Sequence, residues 1–222
     1  MDLTNRLLRQ KDLIPQEVLG KSILIVGAGA VGSFTALTLA KMGYYNITAV
    51  DFDTIEVENL NCQFYRDMDI SKKKVIALST LVRSFTGVAI NAIDDRILES
   101  TDLDTYDIVI AAVDSMVVRS LIWNKVKDSK CFYIDPRMGG ESILLYSVDT
   151  NSMDMTTSYE RTLYSDDEAV VERCTAKATM YTVNLIAGLI GKIVKDHSVG
   201  KPYTSVVTWN VEQNAYYSTT QE

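Results

Sequence analysis

The stretch "ILIVGAGAVG", Ile23 to Gly32, constrains this chain more than any other. Ile23 to Val26 are apolar, mostly β-branched and free of polar alternation, the pattern of a parallel strand covered on both faces. Gly27, Gly29 and Gly32 then fit GxGxxG and open a helix predicted over Ala30 to Met42. Val31, Phe34, Leu37 and Ala40 keep helical spacing there, and Gly43 marks the stop. In such a turn the first glycine permits the tight bend and the second lets the backbone approach a phosphate. The third allows close helix–strand packing, while the helix N-terminus turns partial positive charge toward the anion. Asp51 lies nineteen residues beyond Gly32, at the end of a second predicted strand, Ile47 to Val50. That is the place of an acid that binds ribose hydroxyls. The pattern indicates a nucleotide without choosing between NAD and ATP.

Strand–helix alternation continues through a helix at Ser71 to Phe85, strands in "VAINAI" and "DIVIAAV", a helix at Ser115 to Val126 and the strand "KCFYID". The fold class is therefore α/β, a Rossmann-like, doubly wound and mostly parallel sheet. After Asp135 the pattern changes. "GGESILLYSVDT" alternates as a strand, Asn151 to Arg173 reads as a polar loop, and Thr175 to Lys195 reads as a long helix. That helix carries Val183, Ile186, Ala187, Ile190 and Val194 on one face. "TSVVTWN" and "QNAYYST" are expected to close as a hairpin after Asn210. With no Pro/Gly/Ser-rich linker, residues 1–222 read as one domain. Residues 20–135 form its nucleotide-binding core, and 136–222 form an antiparallel extension with a closing helix.

A net charge of −7, with Lys72, Lys73 and Lys74 as the only dense basic run, argues against a nucleic-acid surface. Cys62, Cys131 and Cys174 form neither a disulfide framework nor a CxxC pair, which suits a reducing, cytoplasmic setting. The opening "MDLTNRLLRQKDLIPQEVLG" lacks the apolar core of a signal peptide. "YTVNLIAGLIGKIV" is broken by Asn184 and Lys192 and falls short of the ~20 apolar residues that span a bilayer, so no membrane segment is expected.

The residues after Asp51 narrow the reading. "DFDTIEVENLNCQFYR" followed by "ISKKKV" resembles the ThiF/MoeB superfamily, the adenylating fold shared with ubiquitin-activating enzymes. In that family the glycine turn and "DFD" precede an NLxRQ segment. A lysine opens the next helix, and an aspartate after the fourth strand leads a D-(N/S)-xxx-R pattern. The matching residues are Gly27, Gly29, Gly32, Asp51 and Asp53, then Asn59, Leu60, Gln63 and Lys74, then Asp114 and Arg119 in "AAVDSMVVRS".

The resemblance implies an adenylyltransferase. A carboxylate, most often the C-terminus of a small ubiquitin-like or sulfur-carrier protein, attacks the α-phosphate of Mg·ATP and forms an acyl-adenylate with release of pyrophosphate. It implies that Asp51 takes the ribose, Lys74 the phosphates and Asp114 the Mg²⁺, with Asn59 and Gln63 as neutral donors. It also implies that Arg6 enters the ATP site of a partner in a homodimer, with Arg9 as an alternative. Blander readings stand beside these: Lys74 as a surface lysine, Asp53 as a turn residue, Asp114 as a helix N-cap, and Arg119 paired with Asp114 or Asp107. The small face Ala187-x-x-x-Gly191 suits close helix approach, more often within one chain.

Two departures matter. The family's NLxRQ arginine is here Cys62, which puts activity in doubt; Arg66 reaches the same volume only if its segment makes a helical turn. The CxxC pairs of zinc-binding members are absent, so no zinc is expected. Cys174 falls where some members carry a cysteine that bonds to the activated carboxyl group, and a helix N-terminus there would favour its thiolate. The rival readings are an NAD-dependent oxidoreductase, a relative that adenylates a peptide or a modified tRNA base, and a nucleotide binder without catalysis. The only histidine, His197, sits at a helix end and leaves little for acid–base chemistry.

Overall fold

The computed structural model describes residues 6–164 and 178–221. Eight strands form one sheet in the order β3-β2-β1-β4-β5-β6-β7-β8. β1 (Ile23–Val26), β2 (Ile47–Val50), β3 (Asn91–Ile93), β4 (Ile108–Ala111) and β5 (Phe132–Gly139) run parallel. β6 (Ser142–Asp149), β7 (Tyr203–Asn210) and β8 (Ala215–Gln221) add on in antiparallel fashion. β1, β2 and β4 are buried at every position, which is why their sequences show no alternation.

Among the described residues five α-helices cover the sheet: α1 (Ala30–Lys41), α2 (Lys74–Thr86), α3 (Met116–Val126), α4 (Met153–Glu160) and α5 (Met180–Ser198). One face packs Ile23, Ile25, Ile108 and Ile110 against α1, α2 and α5; the other packs Leu24, Val26, Val109 and Ala111 against α3 and Tyr159 of α4. The small face of α5 is used within the chain. A Cβ on Gly191 would lie 2.9 Å from Met42 Sδ and 3.0 Å from Thr38 Cγ2, so glycine lets α5 approach α1. His197, in the last turn of α5, stacks face to face on Phe132 at 3.7 Å between ring centroids.

The structure departs from the sequence reading chiefly at α2, α4 and α5. α2 starts at Lys74, not Ser71, because residues 71–73 turn back and hydrogen-bond with residues 54–55. Ser71 N–H donates to Ile55 O, Thr54 and Lys73 form an antiparallel bridge, and Ser71 itself holds φ 68°. The segment expected as a polar loop contains α4, capped by Ser152 Oγ on Met155 N–H. Only Tyr159 of that helix is buried, so no apolar periodicity announces it. α5 starts at Met180 because Ala178 bridges to Gly140, and it runs past Lys195 to Ser198.

Candidate nucleotide site

The glycine turn leaves the C-terminal end of β1, between β2 and β4. β2 and β3 extend the sheet to one side of β1 while β4 and β5 extend it to the other, so the turn stands where the strand order reverses. Each glycine has a separate reason. Gly27 holds φ 93°, and a Cβ there would sit 2.3 Å from Ala112 O. A Cβ on Gly32 would sit 1.9 Å from Gly27 O, which fixes the close helix–strand contact. Gly29 is the open one: its added Cβ would meet only Gln63 Nε2, at 4.0 Å. No side chain caps α1 at Gly29, which keeps that end of the helix available to an anion.

Asp51 binds the turn directly. Its Oδ2 accepts from Ala28 N–H at 2.6 Å and its Oδ1 from Asp53 N–H at 2.8 Å. Each carboxylate oxygen has a further lone pair, so these bonds leave capacity for hydroxyl donors. Lys74 is no surface lysine. It is 7% exposed, and its Nζ lies 2.8 Å from Asp53 Oδ2, so Asp53 is the lysine's partner and more than a turn residue. Lys72 and Lys73 point elsewhere, to Asp69 at 2.9 Å and Asp94 at 3.0 Å.

The segment from Asn59 to Tyr65 lies over the turn. Asn59 Oδ1 accepts from Glu56 N–H at 2.9 Å and closes a 3-10 turn. Gln63 Oε1 is buried without a partner, next to Gly29. Phe64 N–H donates to Ser33 Oγ at 3.0 Å, and its ring packs between Phe34 and Phe85. Tyr65, unremarkable in the sequence, donates its hydroxyl to Ala28 O at 2.6 Å. Burial, with Asp51, Asp53 and Asp69 nearby, pushes the Tyr65 phenol well above its usual pKa and keeps it a donor. Cys62 is half-buried, and burial raises its thiol pKa as well. Arg66 does not reach toward the turn. Its Nε and Nη2 hold Asp69 at 2.8 and 3.1 Å, and that pair keeps the buried Asp69 carboxyl far below its ordinary range.

Across the crevice, Asp114 follows β4 and is exposed. The N-cap of α3 is Ser115, whose Oγ accepts from Val118 N–H at 3.3 Å, so Asp114 is not the cap. Arg119 pairs with neither Asp114 nor Asp107. Its Nε meets Asp135 Oδ1 at 2.5 Å and its Nη2 holds Val113 O at 2.6 Å, which anchors the backbone just before Asp114. Asp107 instead accepts from Ser22 N–H at 2.8 Å. Asp135 is wholly buried and also takes Arg137 Nε and the Tyr159 hydroxyl, both at 2.8 Å. Arg6 donates to Thr86 O at the far end of α2, roughly 18 Å from Lys74 at 1.5 Å per residue. Cys174 lies outside the described residues.

Among the described residues no cluster of three metal-ligating side chains occurs, and no helix is long and apolar enough to cross a membrane. A cavity of about 140 Å³, floored by Leu24, Val50 and Ile97, opens beside the ends of β2 and β3. A larger one, about 400 Å³, lies between α4 and β6–β7, toward the opposite end of the sheet. Its lining carries no lysine or arginine.

An open glycine turn at the switch point, with an acid just after the next strand, matches the pattern of nucleotide-binding α/β folds. The ThiF family profile matches residues 7–214, and the chain belongs to the ThiF family. It is 37% identical over 105 residues to the NEDD8-activating enzyme E1 catalytic subunit of Dictyostelium discoideum, covering 45% of this chain and 24% of that protein. It is 33% identical over 121 residues to the molybdopterin-synthase adenylyltransferase of Escherichia coli K12, covering 51% of this chain and 48% of that one. The crystal structure of E. coli MccB with AMPCPP and MccA has the same fold, with a TM-score of 0.78 at 14% identity over 98% of this chain and 72% of that one. The chain spans only a quarter to a half of the length of these two curated relatives.

Proposed function

We propose that the chain binds Mg·ATP at the glycine turn and activates a carboxylate as an acyl-adenylate, releasing pyrophosphate. The observation that carries this is Asp51 bonded to Ala28 in a turn flanked by the Lys74–Asp53 pair on one side and Asp114 on the other. The buried, unpartnered Gln63 Oε1 beside open Gly29 fits a site built to meet a polar ligand. The relatives' names support the substrate class, a small ubiquitin-like or sulfur-carrier protein, with a peptide as a narrower alternative.

In this reading Asp51 accepts the ribose hydroxyls. Lys74 spends one of its three N–H donors on Asp53 and offers the others to phosphate. Gln63 and Asn59 serve as neutral donors that cannot compete as nucleophiles. Asp114 would hold Mg²⁺, a hard cation that takes one or two carboxylates alongside phosphate oxygens and would offset charge at the α-phosphate. The substrate carboxylate oxygen bonds to the α-phosphorus as the bond to the leaving pyrophosphate breaks. The Cys174 thiolate would then attack the acyl carbon, forming a thioester as the acyl–phosphate bond breaks and AMP leaves. Arg6, tied at the remote end of α2 in its own chain, would serve a partner's site in a homodimer.

A second reading, a nucleotide binder without turnover, is favoured by one observation. The guanidinium missing at Cys62 is not supplied by Arg66, which is committed to Asp69. Thermal shift tests the common ground: Mg·ATP at about a hundred times its Kd should stabilise the fold by about 2.7 kcal/mol, and NAD should not. Stabilisation by NAD alone would overturn both readings. ATP–pyrophosphate exchange with a carrier protein then separates turnover from inert binding. Arg6→Ala and Asp114→Ala chains, each inactive, should regain about a quarter of the activity when mixed.

A further inference from the structure

The peptide groups of the glycine turn are oriented by two side chains. Asp51 Oδ2 takes the Ala28 N–H at 2.6 Å, and the Tyr65 hydroxyl donates to the Ala28 carbonyl at 2.6 Å. None of the described peptide bonds is cis. In a trans peptide the C=O and the following N–H point in opposite directions, so whatever holds one aims the other. Holding the Ala28 carbonyl on the Tyr65 side therefore turns the Gly29 N–H away from Tyr65. No side chain caps the helix there, and an added Cβ at Gly29 would meet nothing nearer than Gln63 Nε2 at 4.0 Å.

The hydroxyl is itself held in place. Tyr65 is buried, and its N–H bonds to Gln63 O at 2.9 Å. The preceding Phe64 is pinned by Ser33 Oγ and by the rings of Phe34 and Phe85. The hydroxyl thus reaches Ala28 from a fixed support on α1 and α2, and its bond to the turn is a constraint on the turn. Asp51 fixes the peptide before Ala28, and Tyr65 fixes the one after it.

We propose that Tyr65 is a positioning residue for the phosphates of the bound nucleotide: its bond to the Ala28 carbonyl presets the Gly29 N–H as a phosphate donor. The inference rests on the ATP-binding reading above and adds to it a residue outside the motif that identifies the family. Tyr65 touches neither nucleotide nor substrate; it acts through one backbone peptide. Such presetting matters because a donor already oriented needs no reorganisation when the anion arrives. Without it the Ala28–Gly29 peptide can rotate, and the ligand must hold it.

The test is a pair of titrations of wild type and Tyr65→Phe, with Mg·ATP and with adenosine, by calorimetry at a temperature where circular dichroism shows both proteins folded. Removing one neutral hydrogen bond should weaken Mg·ATP about three- to ten-fold and leave adenosine, which has no phosphate, within about two-fold. A merely structural hydroxyl would lower the melting temperature and leave the Mg·ATP Kd unchanged, which would overturn the inference. An equal loss for adenosine would overturn it too, by placing the effect on the whole pocket. If the wild type binds no Mg·ATP, the adenylating reading fails on its own account, before Tyr65 is reached.

Discussion

The parallel half of the sheet and its antiparallel extension are built to opposite specifications. β1, β2 and β4 are four residues each and buried at every position, so side chains that carry chemistry are confined to the loops beyond their ends. β8 is exposed along nearly its whole length, with Tyr217 at 72%. The two halves are joined at Asp135, which lies on β5 and gathers Arg119 from α3, Arg137 from its own strand and Tyr159 from α4. Three central strands whose every side chain is enclosed can hold a turn to fixed geometry. A region with an open face has surface to offer and little to hold still.

The sharpest break of that contrast is at the joint. Asp135→Ala leaves two guanidinium groups with their shared buried partner gone, and should cost about 3–5 kcal/mol in urea unfolding. A loss below about 1 kcal/mol would mean that Asp135 does not brace the joint. Within the parallel half, Gly32→Ala drives a Cβ against the Gly27 carbonyl, and a backbone clash of that kind should cost about 1–3 kcal/mol. Gly29→Ala, in open space, should cost well under half as much while weakening Mg·ATP. Equal costs would sink the separate roles given to the two glycines.

A pH profile comes next in size. Burial lowers the pKa of His197, which is stacked on Phe132 with its Nδ1 unpartnered. The folded chain therefore resists the proton that the unfolded chain accepts near pH 6.5, and stability is full above that value and falls as pH drops below it. The slope approaches 1.4 kcal/mol per pH unit at most, and His197→Phe should flatten it between about pH 6.5 and 5.5. An unaltered slope would place the titration elsewhere. The smallest effect is expected in the extension, where Tyr217→Ala should stay within about 0.5 kcal/mol.

Legibility in the sequence followed the same division. The glycine turn and Asp51 are legible because the strands Ile23–Val26 and Ile47–Val50 carry their own apolar signal, whereas Lys74 is reached only through the family resemblance, since apolar spacing sets the start of its helix at Ser71. The sequence offers Arg119 as part of the family pattern, with Asp114 or Asp107 as structural partners, and the structure gives it neither. Its true partner, Asp135, is sixteen residues away, across a strand pairing that no local pattern reports. Tyr65 and Asp69 were passed over for a similar reason: a hydroxyl that matters because of one backbone carbonyl has no spacing to betray it. α4 was hidden by its polarity, since a helix that buries one residue leaves no stripe.

The position of β1 has a consequence for the order of events during synthesis. β1 is made first but lies inside the sheet, with β2 on one edge and β4 on the other. Eighty-five residues separate Ile23 from Ile108, its partner on the second edge. At about 5–20 residues per second, a ribosome needs roughly 4 to 17 s to make them. Throughout that interval "ILIV" presents an unpaired apolar edge, the kind that associates with other chains. For those seconds one edge of β1 waits for the partner that closes it.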